Sequence, residues 1–73
     1  MQTAVKSVDE LTEIVRIAKR DVERAKCLYY NHEASYDDMA EAARRLSAAT
    51  YDYGRAKFPG RRIPRIPYQA ILR

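Results

Sequence analysis

Apolar side chains recur at Val8, Leu11, Val15, Ala18, Val22, Ala25 and Tyr29, in steps that alternate between three and four residues. That period lines one face of an α-helix. The stretch just before it, Ser7-Val8-Asp9-Glu10, has the form of a capping box, in which serine and glutamate each satisfy the other's free amide. Asp9, Glu10 and Glu13 fall at the positive end of the helix dipole. The pattern predicts a first helix over about 8–30. Asn31-His32-Glu33-Ala34 then breaks it with polar residues.

Ser35-Tyr36-Asp37-Asp38 repeats the start signal, with Asp38 three residues after the serine. Behind it Met39, Ala42, Leu46, Ala49 and Tyr53 keep the same alternating step. Gly54 follows at once, the residue type favoured just past a helix end. A second helix over about 36–53 is therefore predicted. A connection this short folds two helices back on each other, so the expected architecture is all-α, an antiparallel helical hairpin over 1–54. Ala42, Ala43, Ala48 and Ala49 make the second helix slim and permit close approach of the backbones.

Ile14, Ile17 and Leu28 lie to one side of the first helix's main seam. At about 100° per residue they widen its apolar arc to roughly half the circumference. One partner helix does not cover so broad an arc. The candidates for the remainder are the C-terminal segment folded back, a second copy in a homodimer, or a different protein, and Ile17 is the residue most diagnostic of which.

The pattern changes at Arg55. Pro59, Pro64 and Pro67 exclude a regular helix across this stretch. Phe58-Pro59-Gly60 reads as a turn, and Arg62-Ile63-Pro64 is followed directly by Arg65-Ile66-Pro67. In polyproline II geometry three residues make one turn, so Arg62 and Arg65 would line one edge of the rod and Ile63 and Ile66 another. Tyr68 to Arg73 suits either one added strand or one helical turn. The expected second unit, 55–73, is a basic C-terminal arm, extended or folded back on the hairpin.

Charge sharpens this division. Residues 1–54 carry eight basic and ten acidic side chains, net −2, whereas Arg55, Lys57, Arg61, Arg62, Arg65 and Arg73 stand in 55–73 with no acid, net +6. Such a tail, interleaved with Phe58 and Tyr68, fits either a phosphate backbone or an acidic protein surface. The isoleucines favour protein, because phosphate binding has no use for them.

Composition removes several classes. The chain has 73 residues, too few for an enzyme of two lobes. A core of this size is marginal on its own. One cysteine, Cys27, forms no internal disulfide and suits a reducing compartment. With one histidine besides, the chain lacks the four ligands of a structural zinc site, and Gly54 and Gly60 are too few for a phosphate-binding loop. No cofactor or metal is expected, and no constellation of acid, base and nucleophile points to an enzyme. No apolar run reaches membrane-spanning length. Met1 to Lys6 lacks the layout of a signal peptide, so a cytoplasmic protein is expected.

Individual residues add little. His32 lies in the interhelical break with no companion ligands. Cys27 falls on the outer face of the first helix. Tyr29 and Tyr53 lie on the seam, whereas Tyr30, Tyr36 and Tyr51 fall off it, as exposed tyrosines of binding surfaces do. Arg44-Arg45 is either a solvated face or an extension of the basic tail.

In length, in its capped hairpin from Ser7 to Gly54, and in the basic Arg55 to Arg73 tail with its Arg62-Ile63-Pro64-Arg65-Ile66-Pro67 repeat, the chain resembles the small phage-encoded regulators of host RNA polymerase. That resemblance implies a non-catalytic protein of the bacterial cytoplasm. It would dock on RNA polymerase near the RNA exit region, block initiation by displacing σ, and promote read-through of terminators. The resemblance carries no residue roles. On charge and exposure alone, the residues expected to bind the partner are Arg55, Lys57, Arg61, Arg62, Ile63, Arg65, Ile66 and Tyr68. The alternatives are a module that binds DNA or RNA directly through the arm, and an inhibitor of another host machine such as a nuclease or the ribosome.

Overall fold

The computed structural model describes residues 7–73, so the reading of Met1 to Lys6 lies outside the described residues. These are all-helical, with no strand among them. Helix α1 is Val8–Tyr30, α2 is Tyr36–Lys57 and α3 is Tyr68–Leu72. Both helix starts form complete capping boxes. The Glu10 amide donates to Ser7 Oγ at 3.1 Å and the Ser7 amide to Glu10 Oε1 at 2.9 Å. Asp38 and Ser35 repeat the exchange at 3.2 and 3.3 Å.

The link between α1 and α2 is a Schellman closure. The Glu33 amide donates to the Leu28 carbonyl at 2.7 Å and the His32 amide to the Tyr29 carbonyl at 3.0 Å. That arrangement needs a left-handed residue between them, and His32 supplies it with φ 63°. His32 thus has a backbone role in closing the helix, at a position where glycine is the favoured residue. Beside it Tyr29 meets Tyr30 and Tyr36 edge-on, with ring centroids 5.5 and 5.9 Å apart.

The two long helices pack against each other along the predicted seams. Leu11, Ala18 and Val22 of α1 are buried, as are Met39, Ala42, Leu46 and Ala49 of α2. Ala40 and Ala43 are buried as well, and Ala43 has no exposed surface. More than half of this core is alanine, whose burial contributes little apolar area per residue. The seam alone therefore makes a thin core. Ile71 and Leu72 supplement it by packing against the cluster of Ala18, Val22, Ala42, Leu46 and Ala49. The C-terminal segment accordingly folds back and lays α3 against α2.

Helix α2 corrects the expected boundary. It does not end at Tyr53 but runs four residues further, through Gly54 to Lys57, and Phe58 caps it by donating its amide to the Gly54 carbonyl at 2.9 Å. Gly54 is not a left-handed terminator; Gly60, at φ 87°, is the glycine with positive φ. The physical reason is a close approach. A Cβ on Gly54 would lie 2.9 Å from Ile63 Cγ2, so glycine at 54 makes room for the returning chain. The reversal itself is the predicted turn, closed by the Arg61 amide on the Phe58 carbonyl at 3.2 Å. Pro59 and Gly60 occupy its central positions, the arrangement of a type II turn.

The wide apolar arc of α1 is covered only in part. Leu28 is half-buried, but Ile14 remains 37% exposed and Ile17 46%. The folded-back segment covers the α2 side and leaves these two isoleucines open.

Candidate functional site

The residues expected to bind a partner divide between two elements. Arg55 and Lys57 belong to the last turn of α2 rather than to an arm. Arg61, Arg62, Ile63, Arg65 and Ile66 lie in the non-helical stretch that follows, and Tyr68 opens α3. All of the cations are exposed. None of them has a carboxylate within ion-pair distance among the described residues, where the pairs are Arg16–Glu13, Arg44–Glu41 and Arg45–Glu41.

The returning segment is held to α2 by named contacts. Ile63 is half-buried over Gly54. The Ser47 hydroxyl donates to the Ile66 carbonyl, tying the chain one element away. The Arg65 guanidinium lies 4.5 Å from the centroid of the Tyr51 ring, and Arg55 lies 5.8 Å from the same ring. Arg44 lies 4.8 Å from the Tyr68 centroid. Lys57 folds onto Tyr53, donating to its hydroxyl at 3.2 Å. Such cation–aromatic contacts contribute roughly 0.5–1 kcal/mol each at exposed sites.

Three of these contacts, Arg44 on Tyr68 and both Arg55 and Arg65 on Tyr51, form a stripe on one face of α2, whereas Tyr53 and Lys57 lie toward α1. Arg44, Ala48, Tyr51 and Arg55 follow one another at steps of four, three and four residues along α2, hence along one face. Arg65 and Tyr68 of the returning segment complete it, giving an alternation of guanidinium and phenol. Between the two ends lies a groove of about 370 Å³. It is lined by Ser47, Ala48, Ile66 and Pro67 together with Arg44, Arg65 and Tyr68. Arg44 rests on Tyr68 and Arg65 on Tyr51, which stands seven residues from Arg44 on α2.

Five participants were missed as site residues: Arg44, Ser47, Ala48, Tyr51 and Pro67. The helical spacing that puts 44, 48, 51 and 55 on one face was legible, but nothing local says that the tail returns to that face. Arg44 and Arg45 part company here, since Arg44 joins Tyr68 whereas Arg45 only approaches Glu41 at 3.7 Å. The two isoleucines of the repeat also part. Ile63 turns inward, while Ile66 stays 43% exposed and is held through its carbonyl instead.

Electrostatics elsewhere are mild. The Arg16 guanidinium, hydrogen-bonded to Glu13, holds that carboxyl below its ordinary value, and the arginine is raised in turn. The pair is fully exposed and remote from the stripe in sequence. Cys27 is exposed, with the Asn31 side-chain amide 3.8 Å from its sulfur. No helix of the described residues is long and apolar enough to cross a membrane, and no group of three His, Cys, Asp or Glu side chains among them is placed to hold a metal ion. No protein-family model, curated protein or solved structure matches the chain.

Proposed function

We propose that this chain is a non-catalytic binding protein that occupies an acidic surface of a larger machine, with bacterial RNA polymerase near its RNA exit region as the partner. The observation that carries the binding reading is the stripe. Arg55 at the end of α2 and Arg61, Arg62 and Arg65 on the returning segment stand without carboxylate partners among the described residues, and Arg65 is held in place on Tyr51 before any partner arrives. Arginines ordered in advance lose less side-chain entropy on binding and present a planar fork suited to carboxylate or phosphate. The resemblance to phage-encoded polymerase regulators names the machine, with σ displacement and terminator read-through as the expected consequences.

Direct binding of DNA or RNA is the second reading, favoured by the same unpaired arginines alternating with tyrosines. Purified polymerase, with and without nuclease treatment, is the deciding reagent. Capture that survives nuclease and is abolished by Arg62→Glu with Arg65→Glu, at unchanged helicity, supports docking on protein. Capture that vanishes with nuclease transfers the function to nucleic acid. Normal capture by the charge-reversed variant removes the returning segment from either role.

A further inference from the structure

We infer that the groove between Arg44 and Arg65 is a docking slot for an acidic peptide segment carrying one large apolar side chain. This deepens the binding reading above and rests on it. Ala48, Ile66 and Pro67 give the groove a mostly apolar lining, and its two cations are held apart, Arg44 on Tyr68 and Arg65 on Tyr51, seven residues further along α2. Arg65 has no carboxylate partner among the described residues, and Arg44 has only Glu41, at 3.4 Å on an exposed face, which an incoming carboxylate can replace. Charge and shape therefore ask for different groups at different points. The two arginines ask for anions and the apolar lining for a hydrocarbon.

The spacing sets the register of the occupant. Arg44 and the Arg65-bearing Tyr51 are seven residues apart on α2, about 10 Å along the axis at ~1.5 Å per residue. An extended chain covers that distance in about three residues at ~3.3 Å each. The occupant is thus an extended segment with two carboxylates roughly three residues apart and an apolar side chain between them. A phosphate strand supplies the anions but leaves the floor empty, which is why peptide is chosen over nucleic acid. Arg61 and Arg62, further along the segment, extend the cationic track for additional acids outside the slot.

The test uses the full-length chain and a fluorescent peptide with two aspartates three residues apart and a leucine between them. Three comparison ligands accompany it: the same peptide with serine for leucine, an all-aspartate peptide, and a single-stranded oligonucleotide of similar charge. The leucine peptide is expected to bind, with affinity reduced about tenfold or more by the serine exchange and by Arg65→Glu. Ala48→Trp, at an exposed position that fills the slot without altering charge, is expected to abolish the preference for leucine over serine. Circular dichroism and thermal midpoint confirm that each variant keeps its fold. Equal binding of all four ligands, or a leucine preference that survives Ala48→Trp, overturns the slot. Polymerase capture reports separately. A chain that binds the leucine peptide but captures no polymerase keeps the slot and loses the named machine, whereas capture that persists in Ala48→Trp keeps the machine and removes the slot from it.

Discussion

Gly54 lies beneath Ile63, and a methyl group on the glycine would stand 2.9 Å from Ile63 Cγ2. This contact links a helix interior to the segment that returns over it, and it opposes the usual rule for glycine in helices. In an isolated helix Gly54→Ala would add about 1 kcal/mol of stability. Here Ile63 can move its Cγ2 aside only by turning about χ1, which a β-branched residue resists and which is further crowded by its own Cδ1 and Cγ1, 3.5 and 3.6 Å from the added methyl, so the substitution is expected to destabilise the docked segment. In an Ile63→Ala background the same substitution should become stabilising. Denaturant titration of the two single variants and the double variant measures this reversal of sign; additive behaviour would mean that the close approach carries no energy.

His32 holds a left-handed conformation, φ 63°, at the position where the closure of α1 favours glycine. His32→Gly should raise stability by about 0.5–1 kcal/mol, the left-handed penalty of a side chain less the added flexibility of glycine when unfolded. His32→Val should cost more than the glycine variant gains. Thermal melts of the three proteins decide it, and indifference to both exchanges would mean the loop relaxes freely.

The caps at Ser7 and Ser35 each satisfy an amide that no helical carbonyl reaches. Ser35→Ala is expected to cost about 1 kcal/mol. Ser35→Asp should retain most of that stability, because aspartate caps equally well. Equilibrium unfolding in urea is the measurement.

Ala43 is wholly buried, whereas Ala48, five residues on, is exposed. Leucine at 43 should therefore cost about 1–3 kcal/mol by overpacking the close α2 interface. Leucine at 48 should fold normally, within about 0.5 kcal/mol of the parent chain. The pair of variants separates a tight interface from a merely alanine-rich helix.

Acid should loosen α1 in one identifiable way. The Arg16 hydrogen bond depresses the folded value of the Glu13 carboxyl. The contribution is present above the unfolded glutamate value of about 4.3 and is lost as pH falls through the lower folded value. Glu13→Gln should remove that part of the pH dependence. High salt should weaken it, since the pair is exposed. Helicity of parent and variant followed from neutral pH to pH ~2 checks both.

The hairpin was legible because its signals are local. Capping boxes need four consecutive residues, and the seams need only a three–four alternation that any window reveals. The same holds for the turn, since Pro59 and Gly60 carry their dihedral preferences with them. The end of α2 was not legible, because Gly54 satisfies two opposite rules: it terminates helices when its φ is positive and admits a neighbour when it is not. Only the arrival of Ile63, nine residues later, selects between them. The site divides along the same line. Exposure and charge marked Arg55, Arg62 and Arg65, but Arg44, Ser47 and Tyr51 became partners of the tail only when Ile71 and Leu72 brought it back to a core too rich in alanine to close by itself. By itself the sequence determined the turn, the separation of charge and, except for the end of α2, the two long helices, all of which depend on neighbours within a few residues. It left residues 68–73 open between a strand and the helical turn that α3 forms. The tertiary structure decided where the basic segment lies and which α2 face it completes, because those depend on what the thin core still lacked.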